Sequence, residues 1–135
     1  MSVLLSIKPE YVEKIEDGSK LFEFRKSIFK EQTNEIWVYS SAPIKKIVGK
    51  IYVKGIIEDE PQIIWKNCKS KAGINKKDFF KYFDGKKIGY AIVIERYEHF
   101  ETPINPYAER EDFIPPQSYA YIENILPMLI TPITA

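Results

Sequence analysis

The sequence predicts an α+β fold, a mostly antiparallel, closed β-sheet with helices inserted into it. Three observations carry that prediction. Stretches at 20–26, 35–41, 46–57 and 87–98 are rich in β-branched and aromatic residues, the composition and spacing of strands. Gly49 and Gly55 interrupt the third stretch, and bends or bulges at such glycines are how barrels curve. Two short helical segments, each with its own start and stop signals, lie between the third and fourth stretches. There is no internal repeat or low-complexity tract, so residues 1–122 read as one domain followed by an arm at 123–135.

Residues 2–7 are β-compatible, and Lys8-Pro9 then opens a helix with proline at its first position. Tyr11, Val12 and Ile15 form its apolar stripe, and Gly18 supplies the left-handed residue that ends it. In the strand at 20–26, Lys20, Phe22, Phe24 and Lys26 share one side, while Leu21, Glu23 and Arg25 share the other. The strand at 35–41 places Ile36 and Val38 opposite Trp37 and Tyr39, and Ala42-Pro43 breaks it. After the strand at 46–57, Asp59-Glu60-Pro61 starts a helix with Ile64, Trp65 and Cys68 inward and Gly73 as its end. Asn75 caps the next helix, with Asp78 at capping-box spacing, Phe79, Phe80 and Phe83 buried, and Gly85 at its end. Residues 87–98 are apolar on both faces near their centre, which predicts a strand inside the sheet. Beyond His99 five of the nine prolines fall between Pro103 and Pro127, so a looped arm is expected there. Its apolar end is expected to pack on the barrel or, as a homodimer, on a second subunit.

Composition narrows the function classes. At 135 residues and 44% hydrophobic, the chain is long and apolar enough for a real core. Twenty basic against nineteen acidic residues argue against coating nucleic acid through bulk charge. Locally the balance differs: eight lysines between Lys66 and Lys87 face only Asp78 and Asp84. That run is either a solvated helix surface or a rim that attracts phosphate. One cysteine and one histidine leave no intrachain disulfide, no metal centre of several His or Cys ligands and little basis for a serine triad. No cofactor is called for. With no signal-peptide pattern and no apolar run of membrane-spanning length, no membrane partner is expected, and the cytoplasm is the expected location.

The strongest candidate constellation is Lys20, Glu23 and Arg25. It is either an ion pair in a barrel wall or the lining of a site in which cations meet phosphate and the carboxylate accepts from a base. The segment VYSSAP offers Tyr39 for stacking and Ser40 and Ser41 as hydroxyls at a strand end, against the alternative of local backbone satisfaction. Lys50 can join Tyr39 and a serine, and such a set can in principle support phosphodiester cleavage. In PPQSYAYI, two prolines limit the freedom with which Gln117 and Ser118 are presented, and Tyr119 or Tyr121 can stack. The alternative is a loop that plugs one barrel end. Lys8 sits where a helix N-terminus favours anions. If the protein is an enzyme, Lys20, Glu23, Tyr39 and Lys50 are its candidate catalytic groups. His99 and Trp65 read as structural.

The order Gly18-x-Lys20-x-x-Glu23-x-Arg25 after a short helix resembles the ASCH domains, a branch of the PUA-like superfamily. LLSIKPEYVEKI, VYSSAP and PPQSYAYI resemble further parts of its small stand-alone prokaryotic subgroup, over roughly residues 2–122. The resemblance implies a PUA-like β-barrel with flanking helices and a cleft for RNA or a modified nucleotide. The expected function is therefore a binding module of that kind, with a small metal-independent hydrolase acting on RNA or a modified nucleoside as the alternative. In one enzymatic branch, amidohydrolases of acetylated cytidine, this pattern carries a lysine, a nucleophilic threonine and an arginine. Lys20 and Arg25 match, but Glu23 stands at the threonine, and a carboxylate cannot replace that hydroxyl without a change of mechanism.

Overall fold

The computed structural model describes residues 2–121; the arm expected at 123–135 lies outside the described residues. In chain order the elements are β1 (Val3–Ile7), α1 (Pro9–Glu16), β2 (Phe22–Arg25), β3 (Glu35–Ser40) and β4 (Lys46–Asp59). They continue with α2 (Pro61–Cys68), a 3-10 turn (Lys69–Lys71), α3 (Lys76–Tyr82), β5 (Gly89–Ile104), α4 (Pro106–Glu109) and β6 (Ala120–Tyr121). The six strands form one curled sheet in the order β2-β5-β4-β3-β1-β6. Only β1 and β3 run parallel, and every other pair is antiparallel.

The curl comes from bulges. Register shifts interrupt the β4–β5 ladder between Ile47 and Gly49, between Tyr52 and Val53, and between Val53 and Gly55. An extra residue at such a point bends and twists its strand. Gly49 also admits close approach, because a β-carbon there would collide with the Tyr97 hydroxyl and the Glu98 carbonyl. β5 runs on to Ile104, past the expected end at 98, because β4 provides ladder partners for residues up to 104. The expected closed sheet is a half-barrel among the described residues. Its edge strands β2 and β6 share no ladder, and side chains bridge the gap. Tyr121 Oη accepts from the amides of Lys30 and Glu31 at 3.1 and 3.0 Å, and Ser27 Oγ meets Ser118 Oγ at 2.8 Å.

Two of three apolar clusters fasten the helices to the sheet. Val3, Leu5, Ile7, Val12, Ile15, Ile36, Val38 and Ile51 fill the concave side under α1. Phe24, Ile64, Cys68, Phe79 and Phe83 fasten α2 and α3 to β2 and β5. Phe24 and Phe79 meet edge to face with centroids 5.0 Å apart. Burying each such ring stabilises by about 1.5–3 kcal/mol, and an edge-to-face pair adds about 0.5–1.5 kcal/mol. That packing fixes the distance between α3 and β2. The Asn75 cap holds the start of α3: its Oδ1 accepts from the Asp78 amide at 2.8 Å.

Candidate functional site

A cleft of about 590 Å³ opens between the end of β1, the start of α1, β2 and α3. Ser6, Ile7 and Lys8 line it from β1 and the helix cap; Glu10 and Tyr11 from α1; Lys20, Glu23, Phe24 and Arg25 from β2 and its approach; Ile74, Asp78, Lys81 and Tyr82 from α3 and its approach. The volume lies within the range of small-ligand sites. It stands at the half-barrel's seam, where β1 and β2 come close without pairing.

At its floor are two charged groups withdrawn from solvent, Lys20 at 2% and Glu23 at 6% exposure. Lys20 reaches that depth because Gly73 yields: a β-carbon there would stand 2.6 Å from Lys20 Cβ, and the Gly73 backbone has φ +67°. The ammonium donates to the Ala72 carbonyl at 2.7 Å and lies 5.2 and 4.7 Å from the Tyr11 and Phe24 ring centres. Burial lowers its pKa below the ordinary lysine value, and the neighbouring Glu23 charge opposes that fall. Two of its three protons have no hydrogen-bond partner among the described residues.

Glu23 Oε2 accepts from Arg25 Nη1 at 3.1 Å. Glu23 Oε1 accepts no hydrogen bond from any described residue. Arg25 is the staple of the seam. Nη1 also reaches the Ser6 carbonyl of β1 at 3.4 Å, and Nη2 donates to the Ser118 carbonyl just ahead of β6 at 2.6 Å. One guanidinium therefore ties three strands together where a ladder would otherwise run. Around the rim, Tyr11 is shifted up by burial and then by Glu10, Asp78 and Glu23. Tyr82 is shifted up by burial, opposed by Arg25, and carries Lys26 above its ring at 4.8 Å. Buried donors and an acceptor with capacity left over, an aromatic rim and cationic edges form a set able to hold a planar polar group joined to an anion.

Of the residues singled out in the sequence, Lys8, Lys20, Glu23 and Arg25 meet in this cleft. Tyr39 does not line it. Its ring is 1% exposed and packs beside Leu4, Ile47 and Phe113 on the opposite side of the sheet, with its hydroxyl 2.9 Å from that of Tyr107. Burial, then the Tyr107 hydrogen bond, drives its pKa upward. The stacking face expected of Tyr39 is thus occupied by the protein's own side chains. Lys50 lies over the Trp37 ring at 4.7 Å and 3.8 Å from Glu35, so the proposed set of Tyr39, Lys50 and a serine is not assembled around this cleft. Ser40 is buried opposite Ile7 in the β1–β3 ladder, and the Ser41 amide donates to the Ile7 carbonyl at 3.0 Å.

Gln117 is exposed and outside the lining. Ser118 takes part through its carbonyl, which holds Arg25. Tyr119 sets its ring against Phe29, with centroids 5.9 Å apart, and adjoins the core. His99 is exposed and pairs with Glu16 at 3.0 Å. The sequence singled out neither Tyr11, Asp78 nor Tyr82 as a site residue, whereas Lys81 belongs to the lysine run that reads either as a solvated surface or as a rim attracting phosphate. Asp78, Lys81 and Tyr82 share α3, whose face toward β2 is set by Phe79 and Phe83.

Fold and cleft together define a class: a small α+β half-barrel with a polar cleft at its open seam. The chain belongs to the ASCH domain family, whose model matches residues 5–112. It is similar to a protein of Zymomonas mobilis named "ASCH domain-containing ribonuclease", 27% identical over 123 residues, which span 88% of this chain and 82% of that one. The crystal structure of ASCH from Zymomonas mobilis superposes with a TM-score of 0.84 at 25% identity, covering 97% of this chain and 94% of that one. A tyrosine-to-phenylalanine variant from the same organism gives 0.80 at 26% identity, covering 89% and 88%. No helix among the described residues is long and apolar enough to cross a membrane.

Proposed function

We propose that the seam cleft binds RNA or a modified nucleotide, with one base against its floor. The observation that carries this reading is the pair of buried charges, Lys20 and Glu23, which line the same cavity and keep donors and an acceptor without a hydrogen-bond partner among the described residues. No buried side-chain polar atom among the described residues lacks a hydrogen bond, so Glu23 Oε1 is reachable from the cleft, where water or a ligand can meet it. A nucleobase edge offers acceptors and donors side by side, and so answers both. Arg25 is already committed to Glu23, Ser6 and Ser118, so phosphate belongs to the shallower Lys8 and Lys81 rather than to the floor.

A second reading is hydrolysis of RNA. It is supported by the likeness to a protein named as a ribonuclease and by a buried lysine whose lowered pKa suits proton transfer. Lys20 and Glu23 are then the groups in reach. Labelled RNA pools and free nucleotides, titrated with chelator present, test both readings. Saturable binding that weakens at least tenfold in Lys20→Ala, with the fold intact by circular dichroism, supports the cleft. Product formation that the same change abolishes supports hydrolysis. Undiminished binding in Lys20→Ala defeats the cleft reading, and undiminished product formation defeats hydrolysis by Lys20.

A further inference from the structure

The lysines between Lys66 and Lys87 are not absorbed by the cleft, apart from Lys81. Eight lysines against two aspartates give this segment a surplus of six positive charges. The whole chain carries +1, so everything else sums to −5. The eight lysines lie on α2, the 3-10 turn, α3 and the turn that follows α3. All eight side chains are exposed, and none forms an ion pair with a described residue. Like charges gathered on one segment raise its positive potential and attract counter-ions.

The surface is continuous with the cleft. α3 supplies Asp78, Lys81 and Tyr82 to the cleft wall, and Lys77 stands one helical turn before Lys81 on the same face. Lys71 immediately precedes Ala72, whose carbonyl holds the Lys20 ammonium, and its own carbonyl accepts from the Leu21 amide at 2.9 Å. Lys26 caps the Tyr82 ring from the β2 side. A polyanion with one unit in the cleft thus meets lysines on leaving it.

We infer that the ligand is a single strand several nucleotides long, whose phosphates run over the α2–α3 lysines while one base occupies the cleft. This rests on the nucleotide reading of the cleft and extends it, since a free nucleotide has no use for charges beyond the rim. Each phosphate neutralised by a lysine adds about 0.7 to the slope of log K against log salt for a single strand.

The test compares a 12-nucleotide RNA with a nucleoside monophosphate in 50–300 mM KCl. It uses the wild type and a variant carrying Lys69→Gln, Lys76→Gln, Lys77→Gln and Lys86→Gln, none of which lines the cleft. The expected result is a 12-mer that binds far more tightly than the monophosphate at low salt. In the variant, the 12-mer's salt slope falls by about 3 and its affinity at least tenfold, while monophosphate binding is unchanged. A 12-mer no tighter than the monophosphate, or a variant with an unaltered slope, overturns the inference and leaves the cleft reading standing. Loss of 12-mer binding in the variant, in a protein that never binds the monophosphate, supports the lysine track and removes the cleft reading. Should the variant lose binding to vesicles rich in phosphatidylserine but keep its hold on the 12-mer, the surface serves a membrane and the inference fails.

Discussion

Two regions of the sheet looked alike in the sequence and differ in the structure. Lys20, Glu23 and Arg25 on the β2 side, and Tyr39, Lys50 and a serine on the β3–β4 side, both read as candidate sets of a site. On the β3–β4 side the Tyr39 hydroxyl meets that of Tyr107, and Lys50 lies 3.8 Å from Glu35 and over the Trp37 ring. On the β2 side Lys20 and Glu23 are nearly as deeply buried as Tyr39, yet each keeps hydrogen-bonding capacity that only the cleft can meet. Burial of a polar group therefore does not mark a site. Burial with unspent capacity beside a cavity does.

Truncation should separate the two regions most sharply. Tyr39→Ala empties the small core shared with Leu4, Ile47 and Phe113. It is expected to cost about 3–5 kcal/mol in urea denaturation, as large aromatic deletions do. The fraction that remains folded should bind RNA as the wild type does. Tyr39→Phe keeps the ring and should lose only about 1 kcal/mol, the scale of one hydrogen bond. A Tyr39→Phe protein of normal stability that no longer binds would move the site to the other side of the sheet.

A smaller effect concerns pH. The folded pKa of Lys20 is below that of the unfolded chain, so between the two values the unfolded state holds more protons and stability rises with pH. Relative to Lys20→Met, which has no charge to bury, the wild type should gain stability as pH climbs through the lowered folded value toward about 10.4. Binding should run the other way, weakening as the ammonium deprotonates, at a pH below that of an ordinary lysine. Paired melting curves and titrations from pH 7 to 10 check both trends. Parallel curves for the two proteins would place Lys20 in a wetter environment than the structure gives it.

The line between what the sequence revealed and what it hid follows the range of the interactions. Gly18 and Asn75 act within a few residues, so the stop of α1 and the cap of α3 were legible. So was the division of β3, with Ile36 and Val38 on one side and Trp37 and Tyr39 on the other. What covers the Tyr39 side was not, because Tyr107 lies 68 residues away on α4, in a stretch that reads as loop. Glu23 and Arg25 stood out because two charges flank a buried phenylalanine in alternation. Tyr11 and Tyr82 were hidden because their place in the cleft depends on how α1 and α3 dock, which no local pattern states.

The proposed role of Glu23 and Lys20 is to serve a ligand rather than the wall of the barrel. Glu23→Gln tests it most directly, since the amide keeps size and one acceptor while removing the charge. The expected result is a loss of RNA or nucleotide affinity of at least tenfold, at a cost in stability smaller than that of Tyr39→Ala. A Glu23→Gln protein that binds as well as the wild type, and whose only defect is a lowered unfolding midpoint, would make the β2 charges an ion pair of the barrel and nothing more.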